Sequence, residues 1–164
     1  INHAETHIKN IVLNFLPSVL DYLNINLENT NQIVAGASMG GLMSMKTSIL
    51  FPQFKNIISL SPAFWFGYPS ILNDIKNLSN ESSTYLYTGK KEGHIFGDHV
   101  KNIFPNNWDL DFSNNDDFYY SGVKNIKDSF DSNNKKVIFS FQDNGRHNET
   151  SWATAIIEIL GKLV

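Results

Sequence analysis

The chain has 164 residues, 41% of them apolar and 18% charged, and a formal net charge of −3. That is enough apolar matter for one domain with its own core, and too little charge for a disordered chain. The slight acidic excess leaves no electrostatic footprint for nucleic acid, and no basic or apolar run suits a membrane surface or a membrane span.

The chain opens at Ile1 rather than Met and runs directly into polar, helix-like sequence, as a fragment or processed product does. Apolar residues at Ile8, Ile11, Val12, Phe15, Leu16, Val19, Leu20 and Leu23 fall at helical spacing. Pro17 lies inside this stripe and predicts a kink or a change of axis. Asn24 to Asn31 is a polar connector. Gln32 to Ala37 then reads as a strand and Met39 to Leu50 as a helix, closed by Phe51-Pro52.

Asn56 to Ser61 reads as a second buried strand, ended by Pro62. An aromatic loop follows, Ala63-Phe64-Trp65-Phe66-Gly67-Tyr68, and then a short helix from Ser70 to Leu78. Thr84 to Thr88 is a third strand, leading into Gly89-Lys90-Lys91-Glu92-Gly93. His94 to Asp117 reads as irregular, Phe118 to Phe130 as a helix and Lys136 to Phe141 as a fourth strand. The polar turn Asp143-Asn144-Gly145-Arg146-His147 opens a final helix, about Glu149 to Lys162. Strands alternating with helices predict one α/β domain over residues 1–164, built on a mostly parallel sheet with flanking helices.

The chemistry is concentrated in Gly36-Ala37-Ser38-Met39-Gly40-Gly41. Gly-x-Ser-x-Gly between a strand and a helix is the context of a nucleophile elbow. There the serine hydroxyl is held out at the strand's carboxyl end, and the amide of Met39 can face a developing oxyanion. A serine hydroxyl needs a base, and the base needs a carboxylate to orient it. In an open parallel sheet such groups gather at the carboxyl ends of strands. Glu92 follows the third strand and His147 the fourth, giving the order Ser…Glu…His. Taken alone, Glu92 reads equally as a solvated turn residue beside Lys90 and Lys91, and His147 as a surface histidine near a helix start. Asp98 and Asp143 are the alternative acids.

The aromatic loop reads either as the lining of an acyl or aromatic-alcohol pocket, through Phe64 and Trp65, or as core packing behind the second strand. No cofactor or metal is expected. The run from Asp109 to Asn114 resembles a calcium loop but lacks the glycine at its sixth position and has Tyr120 where a bidentate Glu belongs. His94 and His99 lack a convincing third zinc ligand. With no cysteine, thiol chemistry and disulfides are excluded and the compartment stays open.

These segments together resemble the putative-esterase family of α/β-hydrolases, which includes esterase D, enterochelin-type siderophore esterases and feruloyl esterases. The resemblance rests on Gly36 to Leu42, Ser61 to Phe66, Tyr85 to Gly93, and His147-Asn148-Glu149-Thr150-Ser151-Trp152. It implies an α/β-hydrolase fold, Ser38 as nucleophile, Glu92 as triad acid and His147 as base, acting on a small-molecule ester. It also implies that the first half of the family's sheet, and the loop donating a second oxyanion amide, lie outside this chain. The first strand is then expected to be an exposed edge, open to self-association or to pairing with the missing half. An inactive binding module of the same fold and an acyltransferase with the same triad are the competing functional readings.

Overall fold

In the computed structural model, which describes residues 2–28, 30–98, 100 and 112–163, the four apolar runs form one sheet. Its strands are β1 (Ile33–Ala37), β2 (Asn56–Leu60), β3 (Ser83–Gly89) and β4 (Lys136–Gln142), and their spatial order is their chain order. Every pairing is parallel. Ala37 stands opposite Leu60, Leu60 opposite Tyr87 and Tyr87 opposite Ser140, so the carboxyl ends lie level along one rim.

Successive residues of a strand point to opposite faces, and here both faces are covered. On one, Ile57 and Leu86 pack beneath α3 (Met39–Leu50), α4 (Ser70–Ile75) and α5 (Asn115–Ser132), through Met45, Ile71, Ile75 and Ile126. On the other, Ile58, Tyr85 and Tyr87 pack beneath α6 (Glu149–Leu160), through Ala155 and Ile159. Ile57 and Ile58 are both fully buried. Each such side chain contributes about 1.5–3 kcal/mol relative to exposure.

The N-terminal helical stripe is continuous but not uniform. It comprises α1 (Asn2–Asn10), a π-helical turn (Ile11–Phe15) and α2 (Leu16–Leu23). Pro17 follows Leu16 at the start of α2, and the Leu16 amide reaches back five residues to the Ile11 carbonyl. The widened turn just before the proline therefore takes up the disturbance expected there. Ile8, Val12 and Phe54 form a third cluster against Val34 and Met43.

Two helices differ in length from the expectation. α5 starts at Asn115 because the Asn114 side chain caps it, accepting from the Asp117 amide at 3.0 Å, with Asp116 and Asp117 in the first turn. α4 ends at Ile75, before Leu78. Asp109, Asp111 and His99, weighed above as metal ligands, lie outside the described residues. Among those described, no helix is long and apolar enough to cross a membrane.

β1 pairs with β2 alone among the described residues, and every residue in it is partly or fully exposed, whereas every residue of β3 is buried. Ile11 and Phe15 are exposed nearby. A groove of about 900 Å³ runs between the N-terminal helix and this edge, bordered by Ile8, Phe15, Ile33, Ala35 and Met39.

Candidate active site

Ser38 is the single residue between β1 and α3, at φ 56° and ψ −120°. A positive φ on a serine stores strain, of order 1–3 kcal/mol, and persists only where its surroundings fix it. They do so here on both sides of the residue. The Ser38 amide donates to the Leu60 carbonyl at 2.9 Å, and its own carbonyl accepts from the amides of Gly41 and Ala63, each at 3.0 Å. Gly36 makes the turn sterically feasible. A Cβ there would lie 2.2 Å from the Gly40 carbonyl oxygen, inside the start of α3. Met39 is the first residue of α3, so its amide has no carbonyl partner within the helix.

Along the rim from Ser38, β3 delivers Glu92 and β4 delivers His147. Glu92 is fully buried. His147 Nδ1 lies 2.8 Å from Glu92 Oε2, and His147 Nε2 lies 3.0 Å from Ser38 Oγ. A carboxylate can only accept, so the Nδ1 proton belongs toward Glu92 and the Nε2 lone pair faces the serine hydroxyl. The ring is held between Tyr119, with centroids 5.3 Å apart, and Trp152, edge-on at 4.9 Å. Its loop is tied to the end of β3. The Lys91 amide donates to the Gly145 carbonyl at 2.9 Å and the Lys90 amide to that of Gln142 at 3.0 Å. Asn148 then starts α6, its side chain accepting from the Ser151 amide at 3.0 Å.

The family described as "Putative esterase" matches residues 2–163. The chain belongs to that family. Solved structures with the same fold include a ferulic acid esterase (12% identity, TM-score 0.65, covering 93% of this chain and 57% of that one). The enterobactin esterase FES from Shigella flexneri, solved with enterobactin, matches at 17% identity and TM-score 0.61 over 90% of this chain and 34% of its own. The siderophore hydrolase EstA from Aspergillus nidulans matches at 16% identity and TM-score 0.64, over 97% and 57%. At such identities the likeness is one of fold, an α/β-hydrolase sheet with flanking helices. The chain spans less than two thirds of the length of these solved proteins. No curated protein matches it.

Within this esterase-family fold, several partners of the site were not singled out from sequence. Ser61, the residue after β2, is fully buried at φ 43°. Its hydroxyl donates to Glu92 Oε1 at 2.6 Å, and that same oxygen accepts from the Gly89 amide at 2.5 Å. Trp152 Nε1 donates to Ser61 Oγ at 3.0 Å, and the Tyr119 hydroxyl donates to the Ser61 carbonyl at 2.6 Å. Burial, and then the charge of Glu92, push the Tyr119 hydroxyl well above the usual tyrosine range. The same two causes, in the same order, push Tyr87 up to about 12. The available signal for Ser61 was its position, one strand over from Ser38 on the same rim.

The remaining candidates fall elsewhere. Asp143 is exposed and pairs with Lys90 at 2.8 Å, and Asp98 is exposed beyond the 3-10 turn Gly93–Phe96, so neither meets His147. His94 is exposed, with Nδ1 3.1 Å from the Lys91 carbonyl. Phe64 belongs to the core reading and not to the pocket reading. It is 0% exposed, and its ring covers Gly122 of α5 so closely that a Cβ there would fall 1.9 Å from it. Trp65 is half-buried, edge-on to Phe96 at 5.0 Å and Tyr119 at 5.3 Å. The exposed aromatic is Phe66, at 67%, which with Met39, Leu42 and Ile71 lines a cavity of about 310 Å³. Among the described residues, no group of three His, Asp or Glu side chains is placed to hold a metal ion.

Proposed function

We propose that this site is that of a serine hydrolase acting on carboxylic esters of small molecules. The observation that carries the reading is the unbroken line from Ser38 Oγ through His147 to Glu92, with contacts of 3.0 and 2.8 Å at the carboxyl rim of the sheet. Membership of the esterase family, and the naming of similar folds as esterases and siderophore hydrolases, support it.

In this reading Ser38 Oγ attacks the ester carbonyl carbon as its proton passes to His147 Nε2. The new carbon–oxygen bond pushes the carbonyl electrons onto oxygen, where the Met39 amide donates a hydrogen bond. The imidazolium that forms is stabilised by Glu92 across Nδ1. Collapse of the tetrahedral species breaks the bond to the alcohol oxygen, which takes the proton from Nε2. Water, deprotonated by the same nitrogen, then releases the acyl group and returns the hydroxyl to Ser38. Met39, next to the nucleophile in the chain, and Phe66 both line the cavity of about 310 Å³, which serves as an apolar wall for the substrate.

The experiment is hydrolysis of p-nitrophenyl acetate and labelling by a fluorophosphonate, with Ser38→Ala alongside. Both signals should depend on Ser38, and turnover should fall at least about 1000-fold in the variant. Labelling that persists in Ser38→Ala would refute the assignment.

A further inference from the structure

We propose that Ser61 is a positioning residue that locks the carboxylate of Glu92 toward His147, with Trp152 directing the serine's proton. The inference rests on the reading of Glu92 as the acid of an ester hydrolase. A carboxylate aimed at a histidine through one oxygen can still rotate about its last torsion unless its other oxygen is held. Here Oε2 meets His147 at 2.8 Å, and Oε1 is held by the Ser61 hydroxyl at 2.6 Å and the Gly89 amide at 2.5 Å. The hydroxyl has one proton and could in principle turn it elsewhere. Trp152 Nε1 removes that freedom. An indole N–H can only donate, so at 3.0 Å it occupies a lone pair of Ser61 Oγ and leaves the proton for Glu92.

The backbone of Ser61 is organised for the same purpose. At φ 43° glycine would be the least strained residue, yet a side chain stands there, fully buried. Its amide donates to the Tyr87 carbonyl at 2.7 Å and its carbonyl accepts from Tyr119 at 2.6 Å. β3 and α5 thus hold the residue in the one orientation that carries its hydroxyl to the carboxylate. Trp152 also packs edge-on against His147, so one indole fixes both the base and, through Ser61, the acid.

The test compares Ser61→Ala, Ser61→Gly and Trp152→Phe with the unaltered chain, measuring kcat and KM for p-nitrophenyl acetate and the second-order rate of fluorophosphonate labelling. Ser38→Ala is the parallel control. Turnover that survives Ser38→Ala sinks the hydrolase reading, whatever the Ser61 variants do. With Ser38 dependence in hand, loss of one hydrogen bond to a buried charge should lower kcat and the labelling rate about 10- to 100-fold, with KM essentially unchanged. Ser61→Gly separates hydroxyl from backbone, because it relieves the positive φ while removing the same proton. Equal losses in the alanine and glycine variants support the proposal. Recovery of kcat in Ser61→Gly, or full kcat in either variant, overturns it. Should both Ser61 variants fail to fold, Trp152→Phe and Ser38→Ala are measured in the otherwise unaltered chain. Because phenylalanine keeps an aromatic ring beside His147 and loses only the indole N–H, a fall in kcat without a change in KM then supports the relay through Ser61, and an unchanged kcat overturns it.

Discussion

Gly89 and Gly145 touch backbone to backbone, so that a Cβ on Gly89 would lie 2.2 Å from the Gly145 carbonyl oxygen. This approach brings the loop after β4 over the end of β3, and it is the reason His147 reaches Glu92. Gly89→Ala should therefore act on stability and on the site together. We expect a loss of about 2–4 kcal/mol in urea unfolding. Any protein that still folds should show weakened Ser38 labelling, and an alanine variant equal to the unaltered chain in both would show that the loop yields without moving His147.

Glu92→Gln changes one atom of the carboxylate and leaves its volume. The amide oxygen can still accept from Ser61 and Gly89, but the NH2 group then faces His147 Nδ1 and asks it to accept. The imidazole is driven to the tautomer with its proton on Nε2, where it cannot take one from Ser38. Turnover should drop about 1000- to 10,000-fold, as expected for a wrong tautomer, with little change in the melting temperature. A variant within tenfold of the original would remove Glu92 from the mechanism.

Tyr87 and Tyr119 make a prediction about alkaline conditions. Burial and the nearby Glu92 charge raise both hydroxyls, Tyr87 from 10.0 to about 12. Folded protein thus holds these protons more tightly than unfolded protein does. The contribution of Tyr87 to stability is complete below about pH 10 and is lost as pH rises through about 12, and that of Tyr119 is likewise held at neutral pH and lost only in strong alkali. Tyrosine absorbance at 295 nm should show these two hydroxyls titrating only as the fold is lost. Six tyrosines titrating together near pH 10 in folded protein would contradict it.

The edge of β1 predicts association of this chain on its own. β1 is short and apolar, Ala35 is exposed, and Ile11 and Phe15, also exposed, share a groove with it. Sedimentation velocity should show concentration-dependent association. Ala35→Lys should suppress it, since an edge lysine blocks strand addition. A monomer across the accessible concentration range would mean that this edge is not used.

The strands, their parallel arrangement and the elbow were legible because each is coded locally. Ile33 to Gly41 contains strand, turn and helix start in one stretch, and the level register then places whatever follows each strand on the same rim. That rule also pointed to Glu92 and His147. It could not reveal Ser61, whose surroundings come from Tyr87, Glu92, Tyr119 and Trp152, on separate segments of the chain. The π-helical turn escaped for a related reason. Pro17 signalled a disturbance, but the accommodation falls upstream, at Ile11–Phe15. Phe64 and Phe66 are two positions apart in one aromatic run, and which is buried depends on the 3-10 turn that carries them. The capped start of α5 was written in Asn114 and Asp117 but was masked by the polar composition around them.

Because the strands stand side by side in the order of their synthesis, the site is completed from one flank to the other. The turn around Ser38 closes as soon as Leu60 and Ala63 are available to it. Ser61 must wait for Tyr87 and Tyr119, and His147 arrives last, with β4 and α6. N-terminal parts of a nascent chain emerge and organise first. On the proposed hydrolase reading, a growing chain carries Ser38 before His147 is in place to draw its proton, and reactivity toward an ester waits for β4 and α6 to dock.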